Sequence, residues 1–313
     1  MRSERLKSNT LLLITAAIWG TAFVAQRVGM DHVGPFTFNG VRFTLGSLSL
    51  VPLLLINRRR RAMYPDLLPA ADLKTLFWGG GLAGLALFAG ASLQQVGLVY
   101  TTAGKAGFIT GLYVVIVPIM GLLWHQRPDA GTWIGAVLAA WGLYFLSVTG
   151  DFTIAFGDLL VLIGALFWAA HVHILGWLSP RIDSIALATS QFVACALFSL
   201  ITAGLTEPIT LTGLRGAAIP IFYGGVCSVG VAYTLQVVAQ KKAHPAHAAI
   251  ILSLEAVFAA VGGWLILGEL LTPRGMVGCG LMLAGMLLSQ LDIRADWIAA
   301  GRRSVRDTAP DRR

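Results

Sequence analysis

Apolar residues fill the chain in ten long runs separated by short polar joints. The runs cover about 8–28, 36–56, 75–98, 103–123, 131–149, 157–177, 184–204, 214–238, 246–267 and 275–291. Each approaches the roughly 20 residues that a helix needs to cross the hydrocarbon of a bilayer. Lipid offers no partners to backbone N–H and C=O groups, so runs of this kind fold as helices, which pair those groups internally. Pro and Gly mark the joints at Gly34-Pro35, Arg127-Pro128, Ser179-Pro180, Glu207-Pro208 and Thr272-Pro273. The pattern predicts an all-α membrane protein of ten transmembrane helices, with joints too short to hold a soluble catalytic domain.

The second five runs echo the first five. At an offset of 149, Leu13, Ile14 and Trp19 meet Leu162, Ile163 and Trp168, and Arg42-Phe43 meets Gln191-Phe192. At 141, Gln95-Val96 meets Gln236-Val237; at 143, Gly135, Leu138 and Gly142 meet Gly278, Leu281 and Gly285. An odd number of crossings reverses the copy that follows, so the echo predicts two inverted five-helix repeats, 8–149 and 155–291. A short tail, 1–7, precedes them and a basic tail, 292–313, follows. Secondary transporters are built on such inverted repeats, with the site between them.

Composition agrees. Hydrophobic residues make up 56% of the chain, charged residues 12%, and the mean hydropathy is +0.75; soluble domains carry roughly 25% charged residues. The 36 glycines suit close helix packing in lipid. Gly80-x-x-x-Gly84 and Gly131-x-x-x-Gly135 are close-packing motifs, which leave open whether the tight pairs lie within one bundle or between protomers. Basic Met1 to Lys7 followed by an apolar run imitates a secretory signal, but the run is long enough to span and nine more follow, so it is read as an uncleaved first helix. Cys195, Cys227 and Cys279 fall inside spans without metal-ligand spacing and are read as packing residues.

Charge sets the expected orientation. With the N-terminus in the cytoplasm, 18 of the 23 basic residues fall on the cytoplasmic side, among them Arg58 to Arg61 and six arginines of the tail. The other five are Arg27, Arg42, Lys105, Arg215 and Arg274. The positive-inside rule then predicts both termini in the cytoplasm, in the cell's inner (plasma) membrane. The net charge of +8 is accounted for by the anionic inner-leaflet surface and calls for no nucleic acid.

Several stretches resemble the EamA-type members of the drug/metabolite transporter superfamily. Tyr100 to Tyr113 (YTTAGKAGFITGLY), with Pro118 beyond, is similar to that family's third-to-fourth helix region. Ile14 to Gly20 (ITAAIWG) resembles its first helix, Arg42-Phe43 its second, and Leu252 to Glu255 with Leu267-Gly268-Glu269 the pattern bracketing its ninth. The likeness covers 8–291. Two positions depart from it: Ala256 stands where the family usually has Pro, and His125-Gln126 where it usually has Gly-Glu. The resemblance implies a ten-helix exporter of amino acids or related metabolites, its cavity surrounded by helices 1, 3, 4, 6, 8 and 9.

Chemistry is confined to the polar residues inside the spans, because a charge at mid-bilayer costs ~2.5–3.5 kcal/mol or more and should face a cavity or a partner. Glu255 lies nine residues into the ninth run, roughly 13 Å deep at 1.5 Å per residue. It is read either as a carboxylate that binds a substrate amine or a proton, or as a packing residue bonded to nearby backbone. His171 and His173 are two residues apart, about 200° on a helix, so only one can face a cavity; His171, on the face of Phe167 and Trp168, is the candidate. Gln94, Gln95 and Gln236, with Tyr113 and Ser253, are uncharged polar groups that either bind a ligand or glue the bundle, and Tyr113, Gln95, Gln236 and Ser253 are taken as substrate-binding candidates; Trp19 and Trp168, with Tyr223 and Tyr233, are candidate walls. Arg42 is assigned to an ion pair or carbonyl clamp between helices, structural or gating. Lys105 is either a dipole-assisted anion contact or a lysine reaching for the interface. Helix pairs 3–4 and 8–9 are the expected gates, because their joints around Ala103-Gly104 and His244-Pro245 are short and breakable.

Three function classes compete. A membrane metalloprotease would need His-Glu-x-x-His, which is absent, and a phosphate-handling lipid enzyme would need clustered acids, which are scattered. A channel would need a polar stripe or rings of charge. The repeat and sparse polar residues favour a secondary transporter of a small molecule, with no cofactor and no metal, and protons as a candidate coupling ion. No Walker motif is present to drive transport by ATP directly. The orientation is directly testable: cysteines introduced at Thr153 and Ala62 are expected to react oppositely with an impermeant thiol reagent on intact cells. Labelling at Ala62 would reverse the assignment.

Overall fold

The computed structural model describes residues 2–63, 73–125, 128–148, 154–178, 181, 183–240 and 251–290. Among them the structure is helical, with one isolated bridge between Val148 and Ile154. The helices are α1 (Arg2–Gly29), α2 (Pro35–Met63), α3 (Leu73–Tyr100), α4 (Ala103–Gly111), α5 (Tyr113–Met120), α6 (Ala130–Ser147), α7 (Phe156–Leu178), α8 (Ser184–Thr206), α9 (Leu211–Gly216), α10 (Ala218–Phe222), α11 (Tyr233–Gln240), α12 (Glu255–Leu267) and α13 (Pro273–Leu288). A 3₁₀ turn, Gly121–Trp124, extends α5, and a π-helix, Tyr223–Ala232, joins α10 to α11. Eight stretches are long and apolar enough to cross a bilayer, including Ala103–Trp124 and Ala218–Gln236; α12 and α13 are shorter apolar helices. The tail 292–313 and the joint His244-Pro245 lie outside the described residues.

Three predicted spans are interrupted, for local reasons. The run 103–123 breaks at Leu112, whose N–H returns to the carbonyls of Ile109 and Thr110 before α5 begins. The described part of 246–267 is helical at 251–252, turns at 253–254, and restarts at Glu255. The run 214–238 changes its hydrogen-bond register over the ten residues of the π-helix, an arrangement found mostly at functional sites.

Bare glycine faces hold the helices together. A methyl on Gly142 would lie 2.7 Å from the Gly278 carbonyl oxygen, and one on Gly278 2.7 Å from that of Gly142; Gly135 and Gly285 stand in the same reciprocal relation at 2.5 Å. As one number rises the other falls, so α6 and α13 cross antiparallel with backbones touching, which only small residues permit. Gly97 and Gly157 join α3 to α7 likewise. The motif pair Gly80 and Gly84 faces Ser190 and Ala194 of α8, so it packs within the bundle. Arg274 fastens the α6–α13 pair at one end, its guanidinium donating to the carbonyls of Val148 (2.7 Å) and Tyr144 (3.1 Å).

Two glutamates close helix starts that lipid would leave unpaired. Glu207, just past α8, accepts from the N–H groups of Phe36 (2.9 Å) and Thr37 (2.8 Å) and from the Thr37 hydroxyl (2.7 Å). Glu269 accepts from the N–H groups of Ala103 (2.8 Å) and Gly104 (3.1 Å). Gly268 turns the chain at φ +65°, a left-handed conformation that favours glycine, and so swings Glu269 back onto α4. A carboxylate at a helix start also meets the positive end of the dipole. Large apolar side chains cover the outside, among them Leu205 and Ile219, both more than four-fifths exposed. Trp78, Trp124 and Trp177 are exposed near the ends of their helices, as expected for side chains at a membrane interface.

Loss of either cap should be costly. Glu207→Ala and Glu269→Ala are each expected to lower stability by about 2 kcal/mol, since hydrogen bonds to a charged acceptor contribute roughly 1.5–3 kcal/mol. The measurement is the thermal unfolding midpoint in detergent. Unchanged midpoints would show that water replaces the caps without loss.

Candidate functional site

A cavity of about 260 Å³ lies inside the bundle, walled by α1, α2, α3, α4, α5, α7, α8, the π-helix, α11 and α12. Its place follows from the interruptions: Tyr113 is the first residue after the break at Leu112, Glu255 the first after the break at 253–254, and both line it. Ser228 and Val229 come from the π-helix. The wall is largely aromatic, with Trp19, Phe23, Phe43, Trp168, Phe192 and Tyr233. A cavity this small sits below the ~300–1,000 Å³ usual for drug-sized ligands, so it suits a small metabolite.

One wall carries a closed polar network. Gln94 donates through Nε2 to Gln26 Oε1 (3.0 Å), and its own Oε1 accepts from Trp168 Nε1 (3.1 Å) and the Thr110 hydroxyl (3.3 Å). Gln26 Nε2 donates to the Ala22 carbonyl (3.1 Å). One turn along α7 from Trp168, with the two rings edge-to-face at 6.0 Å, His171 Nε2 lies 2.7 Å from Gln191 Oε1. Trp19 Nε1 donates to the Ser228 carbonyl (3.1 Å), tying α1 to the π-helix. Among the described residues no three His, Cys, Asp or Glu side chains converge to hold a metal ion.

Of the residues singled out in the sequence, Glu255, His171, Tyr113, Gln236, Trp19 and Trp168 line the cavity together. Gln95 and Ser253 do not. Gln95 is one position, about 100°, around the helix from Gln94, and its Nε2 donates to the Gln26 carbonyl instead (3.2 Å). Ser253 is buried within the turn that precedes Glu255. His173 points away, 2.9 Å from the Val117 carbonyl and stacked on Trp124. Tyr223 bonds to Thr21 and to the Ile18 carbonyl and is not part of the wall. Lys105 stands outside it too: its Nζ pairs with Asp158 at 3.1 Å, and Asp158 also accepts from Thr101, which fastens the start of α4 to the first turn of α7.

Arg42 corrects the expectation of an interhelical clamp. Among the described residues its guanidinium meets neither an acid nor a carbonyl; it lies over Phe43 and Phe38, 4.8 and 5.6 Å from their ring centroids, and it lines the cavity. Spans 2 and 7 therefore join the wall. Gln26, Thr110 and Gln191 were the wall residues missed. Gln191-Phe192 could have been found as the offset-149 partner of Arg42-Phe43, and the rings of Phe43 and Phe192 do meet, at 5.9 Å.

Comparison with known proteins agrees with this architecture. The EamA-like transporter family matches twice, over residues 6–148 and 155–291. The chain belongs to the EamA-like transporter family. It is a multi-pass membrane protein of the drug/metabolite transporter superfamily. An uncharacterized transporter of Archaeoglobus fulgidus is 34% identical over 295 residues, covering 93% of this chain and 88% of the relative. The threonine/homoserine exporter RhtA of Escherichia coli is 29% identical over 301 residues, covering 91% and 92%. A crystal structure at 17% identity shares the fold, with a TM-score of 0.64 over 92% of this chain and 98% of the other.

The polar network sets a test of how this EamA protein holds its cavity. Gln94→Leu strands Gln26, Thr110 and Trp168 and is expected to cost about 1–3 kcal/mol for each buried group left unpaired. Gln95→Leu removes one bond and should cost less. Thermal unfolding in detergent measures both; equal losses would show the network to be incidental.

Proposed function

We propose that this EamA protein is a secondary-active exporter of small metabolites such as amino acids, working by alternating access between two inverted five-helix repeats of ten membrane-crossing helices. The observation that carries the reading is a small cavity lined by positions that correspond in the two halves. Trp19 and Trp168 correspond at offset 149 and both line it, as do Arg42-Phe43 and Gln191-Phe192. The two helix breaks, at Leu112 and at 253–254, correspond at about the same spacing. The reciprocal Gly135–Gly285 and Gly142–Gly278 contacts are what a twofold relation between the halves requires, since each contact maps onto the other. The double family match supports the same division.

Transporters place broken helices beside a midplane site because a break frees backbone groups and lets one half move against the other. The glutamate caps tie α2 to α8 and α4 to α12 at one end. The wall extends the other way, to Leu175 and Gln236 near the ends of α7 and α11. With the basic residues placing that end in the cytoplasm, the arrangement fits a carrier that is shut outside and loads from inside. The name of the Escherichia coli relative supports amino acids as the substrate class, and the cavity volume supports one small solute at a time.

Counterflow in proteoliposomes tests the proposal. Unlabelled L-threonine preloaded inside is expected to drive transient accumulation of labelled external threonine in the vesicles above its outside concentration, which a channel cannot do. Glu255→Gln keeps the shape of the side chain and removes its titration; if protons couple through it, exchange should lose its dependence on pH while the protein still folds. Simple equilibration without overshoot would rule out a carrier. Normal pH response and normal affinity in Glu255→Gln would remove that residue from the site.

A further inference from the structure

Arg42 and Glu255 are the two charged residues of the cavity wall, and they do not pair with each other. Arg42 is 4% exposed and its Nε is buried without a hydrogen bond. The rings of Phe43 and Phe38 offset part of its desolvation but accept none of its N–H groups in the way an oxygen would. Glu255 is 6% exposed and accepts no hydrogen bond among the described residues. No other acid with a described side chain is free to serve Arg42. Asp31 pairs with Arg27 and Asp158 with Lys105; Asp129 and Asp183 cap their own helices; Glu207 and Glu269 cap α2 and α4.

Two opposite charges left unpaired in one membrane-embedded cavity are costly. The walls keep them from collapsing onto each other. Arg42 is held by the π-helix: a methyl on Gly225 would lie 2.8 Å from the Arg42 carbonyl oxygen, and one on Gly224 3.3 Å from Arg42 Cδ. Glu255 is held by α1, where a methyl on Gly20 would lie 2.5 Å from the Glu255 carbonyl oxygen. Both backbones are wedged, and both residues line the same small space.

The geometry points to a two-point clamp for a zwitterion, in which Arg42 takes the carboxylate and Glu255 the ammonium of an α-amino acid. The assignment rests on the amino-acid reading of the cavity and adds the residues that read each charge. A planar guanidinium matches a carboxylate with two parallel hydrogen bonds. An ammonium brings donors to the Glu255 carboxylate, which lacks them, and the aromatic wall accepts its remaining charge. One ligand with a charge at each end satisfies both groups; a cation or an anion alone leaves one of them unpaired. Arg42 lies in the first half of the chain and Glu255 in the second, so the bound ligand also bridges the halves that the transport cycle moves.

Binding to the purified full-length protein tests the clamp, with L-threonine, its methyl ester and N-acetyl-L-threonine as probes. The ester keeps only the positive end and the acetyl derivative only the negative end. The unaltered protein is expected to bind threonine and to bind each analogue about 30-fold or more weakly, the loss typical of stranding one buried charge. Arg42→Gln should weaken threonine while leaving the ester as it was, and Glu255→Gln should do the same for threonine and the acetyl derivative. Arg42→Lys, which keeps charge but loses the fork, should fall between. Equal affinity of all three probes for the unaltered protein overturns the clamp whether or not the variants fold. If counterflow of threonine persists alongside that result, the transporter reading stands and only the clamp fails; if threonine neither binds nor exchanges, both fail.

Discussion

A polar group inside a bilayer must find its partner within the protein, and that constraint explains most of what this chain does with its polar residues. The helix starts at Phe36 and Ala103 are closed by Glu207 and Glu269 because water is not dependably at hand to serve them. Lys105 meets Asp158 across two helices. Gln94 gathers Gln26, Thr110 and Trp168 into one network, each bonded to its side-chain amide. Arg274 spends its donors on the last carbonyls of α6. Against that rule, the exceptions carry information. Arg42 and Glu255 are buried, ionisable and without a hydrogen-bonding partner among the described residues, and both line the cavity, where a ligand could supply what is missing.

The same constraint decides where the backbone can be irregular. A helix that breaks in lipid exposes N–H and C=O groups at a cost of several kcal/mol each, so breaks are tolerated only where protein surrounds them. Those at Leu112 and 253–254 lie beside the cavity, and the π-helix packs its glycines against α2. Close glycine contacts do the opposite work. Where Gly135 meets Gly285 and Gly142 meets Gly278, two backbones touch along their length, and α6 with α13 forms a close pair that gives no residue to the cavity wall.

Much of this was legible in the sequence because it is written in long-wavelength patterns. Apolar run length marked the spans, and the glycine and tryptophan echoes marked correspondences that the structure places around one cavity or in reciprocal contact. Single-residue register was legible only in part. The angular argument separated His171 from His173 correctly, yet Gln95 was preferred to Gln94, since two adjacent glutamines do not declare which one faces inward. The π-helix left no signal, because a change of hydrogen-bond register alters no composition. The Lys105 partner was hidden by 53 positions of chain, and Asp158, at the start of a span, was not singled out. Arg42 was assigned to a clamp because a buried arginine normally has a carboxylate or carbonyl against it; only the packing shows rings there instead.

A twofold frame sets a problem for any substrate that lacks twofold symmetry. The walls keep the correspondence, with Trp19 and Trp168 both lining the cavity and Phe43 touching Phe192. The residues that would touch the ligand do not keep it. Arg42 corresponds to Gln191, and Tyr113 opens the helix after its break as Glu255 does after the other. Each half thus contributes one charge, and the two are opposite in sign. Symmetry in the frame lets the two end states of a rocking motion resemble each other in energy, which a carrier needs if neither state is to trap it. Asymmetry confined to the contacting side chains lets the same frame tell one end of a small molecule from the other. Around this cavity the likeness between corresponding positions lies in the tryptophan and phenylalanine walls, and the difference lies in Arg42 and Glu255, the residues proposed to read the ligand.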